Sequence, residues 1–341
     1  MPAAIATRGL RKVYPAPKPR RAPSVAPTPA GLTSGIGHGH QPGVREIEAL
    51  AGLDLEVQDG EFFGLLGPNG AGKTTTIGIL TTRVRASAGQ AEIMGIDVRT
   101  DPVGVKQRIG VVPQRPNPDR SLSVRNNLLF HADYFGIPRS VSGPRATELL
   151  ALFGIGDRVD SKVQELSGGQ QQRLMIVRAL MHEPDVLFLD EPTVGLDPQA
   201  RLALWEILRR LHQAGRTIVM TTHYMEEADQ LCDRVAIVDH GRLLACDTPE
   251  ALKRRAPGGT LVVLTLDGPA EPLVAAVLGR PGVTRAEAHQ SALHVYADRA
   301  SEVIPELIRA AEETGRTVKE IHFTPPSLET LFVSLTGRSL E

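Results

Sequence analysis

Residues 67–74 read Gly-Pro-Asn-Gly-Ala-Gly-Lys-Thr, and no other stretch of the 341-residue chain restricts its fold as strongly. The apolar run Phe62–Leu66 before it predicts a strand, and Lys73–Leu80 after it predicts a helix. Between them, Gly67, Gly70 and Gly72 let the backbone curl until successive N–H groups face one point. The positive end of the following helix adds to that field, so the loop is a cradle for phosphate. Lys73 is spaced to reach the terminal phosphates of a nucleotide, and Thr74 to offer a hydroxyl to Mg²⁺. A strand, glycine loop and helix in that order commit this part of the chain to an α/β fold with a parallel sheet.

Two further stretches bear chemistry. Val186–Leu189 predicts a buried strand ending in Asp190 and Glu191. Asp190 would hold the Mg²⁺, leaving Glu191 free to orient and polarise an attacking water as general base. Leu166-Ser-Gly-Gly-Gln170 opens a helix with apolar residues at Leu174, Val177 and Leu180. Ser167 is a natural N-cap, and Gly168 and Gly169 expose backbone N–H groups at a positive helix end, which makes a second anion site.

Strands predicted at Gln90–Met94, Ile109–Val112, Thr217–Thr221, Arg234–Val238 and Arg242–Ala245 alternate with helices at about 124–181, Gln199–Ala214 and Met225–Cys232. This unit spans 1–256, with a helical part at about 119–184. After Pro257-Gly258-Gly259 the pattern becomes β-α-β-β-α-β, over Thr260–Leu266, Ala270–Leu278, Val283–Ala288, Leu293–Ala297, Ser301–Glu313 and Val318–Phe323. That is the order of a small α+β ferredoxin-like domain, taken as 257–341 with a last helix at Ser327–Leu335.

Composition locates one more feature. The chain holds 33 Gly and 26 Pro, and residues 15–43 alone contain seven prolines and five glycines, with no acid and no aromatic. Such a stretch cannot bury enough apolar surface to offset its ordering entropy, so a flexible insert is expected. His38 and His40 within it make a poor metal site. Residues 1–45 carry seven Lys/Arg and no acid, whereas the whole chain sums to −1. A basic arm of this kind suits nucleic acid or an anionic lipid surface, or stays a solvated tail. Cys232 and Cys246 lack CxxC spacing, which excludes a disulfide scaffold and a cysteine-rich zinc site. No apolar run reaches about 18 residues, so no transmembrane helix is expected, and the interrupted N-terminus argues against a signal peptide.

With the phosphate loop, the Asp190-Glu191 strand and the Leu166–Gln170 string in this order, the chain resembles the nucleotide-binding subunits of ABC transporters over about 1–14 and 44–250. The resemblance implies a P-loop ABC cassette with a RecA-like core, an antiparallel β subdomain and a helical subdomain. It implies ATP and Mg²⁺ as cofactors, with ATP held by Gly67, Asn69, Gly70, Gly72, Lys73, Thr74 and Thr75 and the metal by Thr74, Gln114 and Asp190. Two copies would face head to tail, so that Ser167, Gly168, Gly169 and Gln170 of one meet the nucleotide of the other. Gln114 resembles the Q-loop glutamine and His223 the switch histidine; with Glu191 they would form the catalytic set. Asp197 resembles the D-loop aspartate, although Val194 stands where the family often has Ser. Tyr14 resembles the aromatic that stacks on adenine.

The strings Thr221-Thr-His-Tyr-Met-Glu-Glu-Ala228 and Thr193-Val-Gly-Leu-Asp197, with the ending around Pro326–Gly337, resemble the drug-efflux and antibiotic-resistance exporter branch. The branch implies a homodimeric ATPase at the cytoplasmic face of the membrane, working with a separate transmembrane permease and no nucleic acid. Two other readings compete, an importer ATPase subunit and a non-transport ABC ATPase. The His-Tyr-Met-Glu-Glu string and the different C-terminal unit oppose the first; a single cassette without sustained heptads opposes the second.

Overall fold

The structure, a computed structural model, describes residues 3–15, 46–256, 259–297 and 300–336. The bulk of the Pro- and Gly-rich insert, with His38 and His40, and the ending at Gly337 lie outside the described residues.

Two long strands, β1 (Ala3–Pro15) and β2 (Glu46–Gln58), pair antiparallel, with Tyr14 opposite Ile47 and Pro15 opposite Glu46. The chain then enters the centre as β3 (Phe62–Leu66) and turns through the glycine loop into α1 (Lys73–Leu80). Strands β4 (Ala88–Ile93) and β5 (Ile96–Asp97) complete an antiparallel sheet in the order β2-β1-β4-β5. Helix α2 (Pro102–Arg108) follows, capped by Asp101, whose carboxylate accepts from Gly104 N–H at 2.8 Å. The sequence reading missed β5 and α2, which are too short to show a period; only the Asp101-Pro102 pair, a cap followed by Pro, marks α2.

After β6 (Ile109–Val112), helices α3 (Val124–Tyr134), α4 (Arg139–Leu152) and α5 (Gly168–Leu180) form the helical part. The remainder runs β7 (Val186–Asp190), α6 (Pro198–Gln213), β8 (Thr217–Thr222), α7 (Met225–Leu231), β9 (Arg234–Asp239), β10 (Arg242–Asp247) and α8 (Pro249–Arg254). The second sheet has the order β10-β9-β3-β8-β7-β6, parallel except where β10 meets β9. Both faces are covered, as a parallel sheet requires. Phe62, Leu66, Ile218 and Met220 join the core beneath the helices. Phe63, Leu65, Val219 and Phe188 join the core shared with α1 and the antiparallel sheet.

The C-terminal unit contains β11 (Thr260–Leu266), α9 (Glu271–Leu278), β12 (Val283–His289), β13 (Ala292–Ala297), α10 (Ala300–Glu313) and β14 (Val318–Thr324). Its antiparallel sheet has the order β12-β13-β11-β14, which is the ferredoxin-like arrangement, over a core of its own built on Val262, Leu264, Leu293, Val295 and Leu307. The last helix, α11 (Leu328–Thr336), does not stay with that core. Its Leu328, Leu331 and Phe332 are buried with Leu231, Leu252 and Ala256 of the first unit. The chain therefore leaves the first unit at α8 and returns to it at its end.

Phe332 is fully buried at this return point. Phe332→Ala should cost about 3–5 kcal/mol of stability through lost burial and the cavity left. Urea unfolding of the first unit measures it, and an unchanged midpoint would show that α11 is an ornament. A second expectation concerns His131 of α3, which lies beside His182 and Phe135, the latter stacked on His182 at 3.9 Å. Burial, helped by the nearby Arg178 charge, lowers the His131 pKa to about 4. Below about pH 6.5 the unfolded chain takes up this proton while the folded chain refuses it, so the stability present above that pH falls away toward pH 4. Between about pH 7 and about pH 5, His131→Phe should lose roughly 2 kcal/mol less stability than the unaltered chain. Parallel urea titrations at the two pH values give the comparison, and identical losses would contradict it.

Candidate functional site

The phosphate loop depends on two close backbone approaches. A Cβ on Gly67 would stand 2.3 Å from the Val238 carbonyl oxygen of β9. Gly72 caps α1 at φ 104°, and a Cβ there would stand 2.7 Å from the Ala49 carbonyl oxygen of β2. Only glycine lets both strands close behind the loop. Asn69 and Gly70 stay exposed at the tip, Thr74 is exposed, and Thr75 is half-buried. Lys73 is buried, and its Nζ donates to the carbonyls of Gly67 (2.6 Å) and Pro68 (3.2 Å).

Strand β7 delivers the two carboxylates to the carboxyl edge of the parallel sheet, where ligands of such sheets bind. Asp190 Oδ1 accepts from Thr221 Oγ1 at 2.6 Å and lies 3.4 Å from Thr74 Oγ1. Burial raises the Asp190 pKa and the Glu191 charge adds to it, against the Thr221 and Thr74 hydroxyls and Lys73. Glu191 takes a left-handed backbone, φ 49°, rare for a side chain of its size. Its N–H is held by Thr221, Oγ1 at 3.0 Å and carbonyl O at 3.2 Å. The strained turn points its carboxylate into the site, where it is 8% exposed.

Glu191 has polar neighbours at both carboxylate oxygens. Its Oε1 lies 3.3 Å from Lys73 Nζ and 3.4 Å from His223 Nδ1, and its Oε2 accepts from Gln114 Nε2 at 2.8 Å. The fold thus gathers Lys73, Thr74, Gln114, Asp190, Glu191 and His223 from four places in the chain. The Thr74 hydroxyl and the Asp190 carboxylate are oxygen donors of the kind Mg²⁺ takes, close enough to share an ion. Among the described residues no cluster of three His, Cys, Asp or Glu is able to hold a metal, so further ligands would be water and phosphate oxygen. Gln114 turns its amide nitrogen, a donor, toward Glu191.

The other predicted residues form a separate cleft of about 320 Å³. Ser167, Gly168, Gly169, Gln170, Arg173, Gly195 and Asp197 line it, and no phosphate-loop residue does. Ser167 and Gln170 cap α5 reciprocally, Oγ to N–H at 3.3 Å and N–H to Oε1 at 3.0 Å. Asp197 caps α6 through Ala200 N–H at 2.8 Å. Two helix N-termini therefore open on one cleft, which suits an anion. Tyr14 sits elsewhere, half-buried near the end of β1, with Lys12 Nζ 4.8 Å from its ring centroid.

Sequence reading missed Thr221, which ties Asp190 and the Glu191 backbone together. Adjacent threonines at the end of a strand, just before His223, were the available signal.

A family profile described as ABC transporter matches residues 50–194. The daunorubicin resistance ATP-binding protein of Streptomyces coeruleorubidus is 40% identical over 298 residues, 87% of this chain and 92% of that protein. The Nod factor export ATP-binding protein I of Burkholderia pseudomallei is 43% identical over 289 residues, 85% and 92% of the two chains. Among solved structures, cbiO1 from Clostridium perfringens, part of the ABC transporter complex cbiONQ, aligns with a TM-score of 0.60 and 25% identity over 74% of this chain and 91% of that one.

Thr221→Val keeps the shape of the side chain and removes its hydroxyl. It should destabilise the chain by about 1–3 kcal/mol, the usual effect of leaving a buried charged acceptor short of a donor. Thr221→Ser should recover most of the loss in the same urea titration; equal stability of the Val variant would show the hydroxyl to be dispensable.

Proposed function

This chain belongs to the ABC transporter family as an ATP-binding subunit, and on that premise we propose that it hydrolyses ATP to drive export through a separate membrane-spanning partner. The observation that carries the reading is the setting of Glu191, a buried carboxylate at the sheet edge between Lys73, Gln114 and His223, next to the Asp190–Thr74 pair.

The loop amides and the α1 N-terminus bind the β- and γ-phosphates, and the Lys73 ammonium trades the Gly67 and Pro68 carbonyls for phosphate oxygen. Thr74 and Asp190 would hold Mg²⁺, which would supply positive charge to neutralise the phosphate oxygens. Glu191 takes the proton of the attacking water, and its left-handed backbone keeps the carboxylate pointed at that water. Gln114 donates to one Glu191 oxygen and holds it in place, and His223, 3.4 Å from the other, meets the γ-phosphate.

The cleft lined by Ser167–Gln170 stands apart from the phosphate loop within one chain. A second copy, placed head to tail, supplies Ser167 and Gly169 to the first copy's γ-phosphate and so completes the site. Among the described residues no helix is long and apolar enough to cross a membrane. The export reading assigns the spans to a separate partner chain and this subunit to the cytoplasmic face. Relatives named for daunorubicin resistance and Nod factor export favour export over import.

Glu191→Gln should lower turnover about 10²–10⁴-fold, the range for a lost general base, while ATP affinity by calorimetry stays within about threefold. With ATP and Mg²⁺ the variant should elute as a dimer. Near-normal phosphate release would refute the base assignment.

A further inference from the structure

Behind the site lies a second carboxylate that this mechanism leaves unused. Glu227 of α7 is fully buried. Its Oε1 accepts from Thr193 Oγ1 in a short hydrogen bond and from Trp205 Nε1 at 3.4 Å, and its Oε2 accepts from Thr222 Oγ1 at 2.7 Å. The donors are themselves buried, at 2%, 2% and 1% exposure for Thr193, Trp205 and Thr222. They come from three different elements, the loop after β7, helix α6 and the end of β8.

Their positions give the arrangement its meaning. Thr193 stands two residues after Glu191 and four before Asp197. Thr222 immediately precedes His223, and its hydroxyl also accepts from the Tyr224 N–H at 2.9 Å, so it fixes the backbone on both sides of that histidine. Glu227 therefore clamps the loop that runs from the general base to Asp197 in the Ser167–Gln170 cleft, and the turn that presents His223. It ties together the segment that continues from Glu191 and the turn that places His223 beside it. A carboxylate suits this task. It is acceptor-only and can receive several donors at once, and in a buried site each bond is strong and costly to lose.

We infer that Glu227 is a positioning residue for hydrolysis, holding the loop from Glu191 to Asp197 and His223 in a single register through Thr193 and Thr222. The inference rests on the ATPase reading above. It requires no contact between Glu227 and nucleotide. Loss of the clamp would let Glu191 and His223 move independently, which lowers turnover without touching the phosphate loop. Trp205 is the only tryptophan of the chain and donates to this carboxylate, so its emission reports on the clamp directly.

The test uses the full-length chain and Glu227→Gln, which keeps shape and size but turns a donor toward one of the three hydrogen-bonding partners. ATPase kinetics should show kcat reduced about tenfold or more with KM for ATP within about twofold. The emission of Trp205 should change when ATP and Mg²⁺ are added to the unaltered protein, and this response should be lost in the variant although calorimetry shows ATP still bound. Thr222→Val removes a single donor, leaves Glu227 in place and should give the same split more weakly; it carries the comparison if Glu227→Gln does not fold. Unaltered kcat in the folded variants, or a fall in kcat matched by an equal fall in ATP affinity, would overturn the inference. Turnover of the unaltered chain, measured beside them, tests the ATPase reading separately: its absence would sink that reading, whereas its presence with no effect of the variants would sink only the role of Glu227.

Discussion

The parallel register of β3, β8 and β7 sets Leu66 beside Thr222 and Thr221 beside Asp190. Everything at the site follows from that alignment. The phosphate loop begins where β3 ends, at the level at which β8 hands on to His223 and β7 to Glu191. Successive side chains of a strand face opposite sides of a sheet, so a slip of one residue would turn Asp190 away from Thr221 and Thr74. The alternation of Phe62 and Leu66 with Phe63 and Leu65 locks the register, because each set is buried in a different core.

That edge concentrates charge in a place where charge is expensive to bury. Lys73, Asp190, Glu191 and Glu227 are all less than a tenth exposed. Each is compensated differently. Lys73 has loop carbonyls and a carboxylate, Asp190 has threonine hydroxyls, Glu191 has an ammonium, an amide and an imidazole, and Glu227 has neutral donors alone. The groups around Glu191 and Lys73 are those a bound phosphate would rearrange. The donors around Glu227 are inward and fixed, which separates the part of the site that reacts from the part that holds it.

Much of this was legible in the sequence. The loop at 67–74, the strand ending in Asp190-Glu191 and the Ser167 cap are local patterns in which neighbouring residues create the geometry, and the structure has each of them in the expected element. The β-α-β-β-α-β order of the C-terminal unit was legible for the same reason, through clear changes of period. Less legible were α2 and β5, too short to carry a period, and the packing of α11. The apolar face of that helix announces burial without naming the partner, and the partner turned out to lie on α7 and α8 rather than on the adjoining sheet.

From sequence alone it was determined that a glycine loop joins a strand to a helix, and that a second glycine-bearing helix N-terminus lies about a hundred residues further on. Both depend on backbone geometry set within a few residues. Tertiary structure alone decided that Gln114 grips Glu191 with His223 beside it, that Thr221 joins Asp190 to it, and that Glu227 ties Thr193 to Thr222. Gln114 and Glu191 are 77 residues apart, and Thr193 and Glu227 are 34 apart. No local periodicity links such pairs. Only the parallel alignment of distant strands, driven by burial of their two faces, brings their side chains within hydrogen-bonding distance.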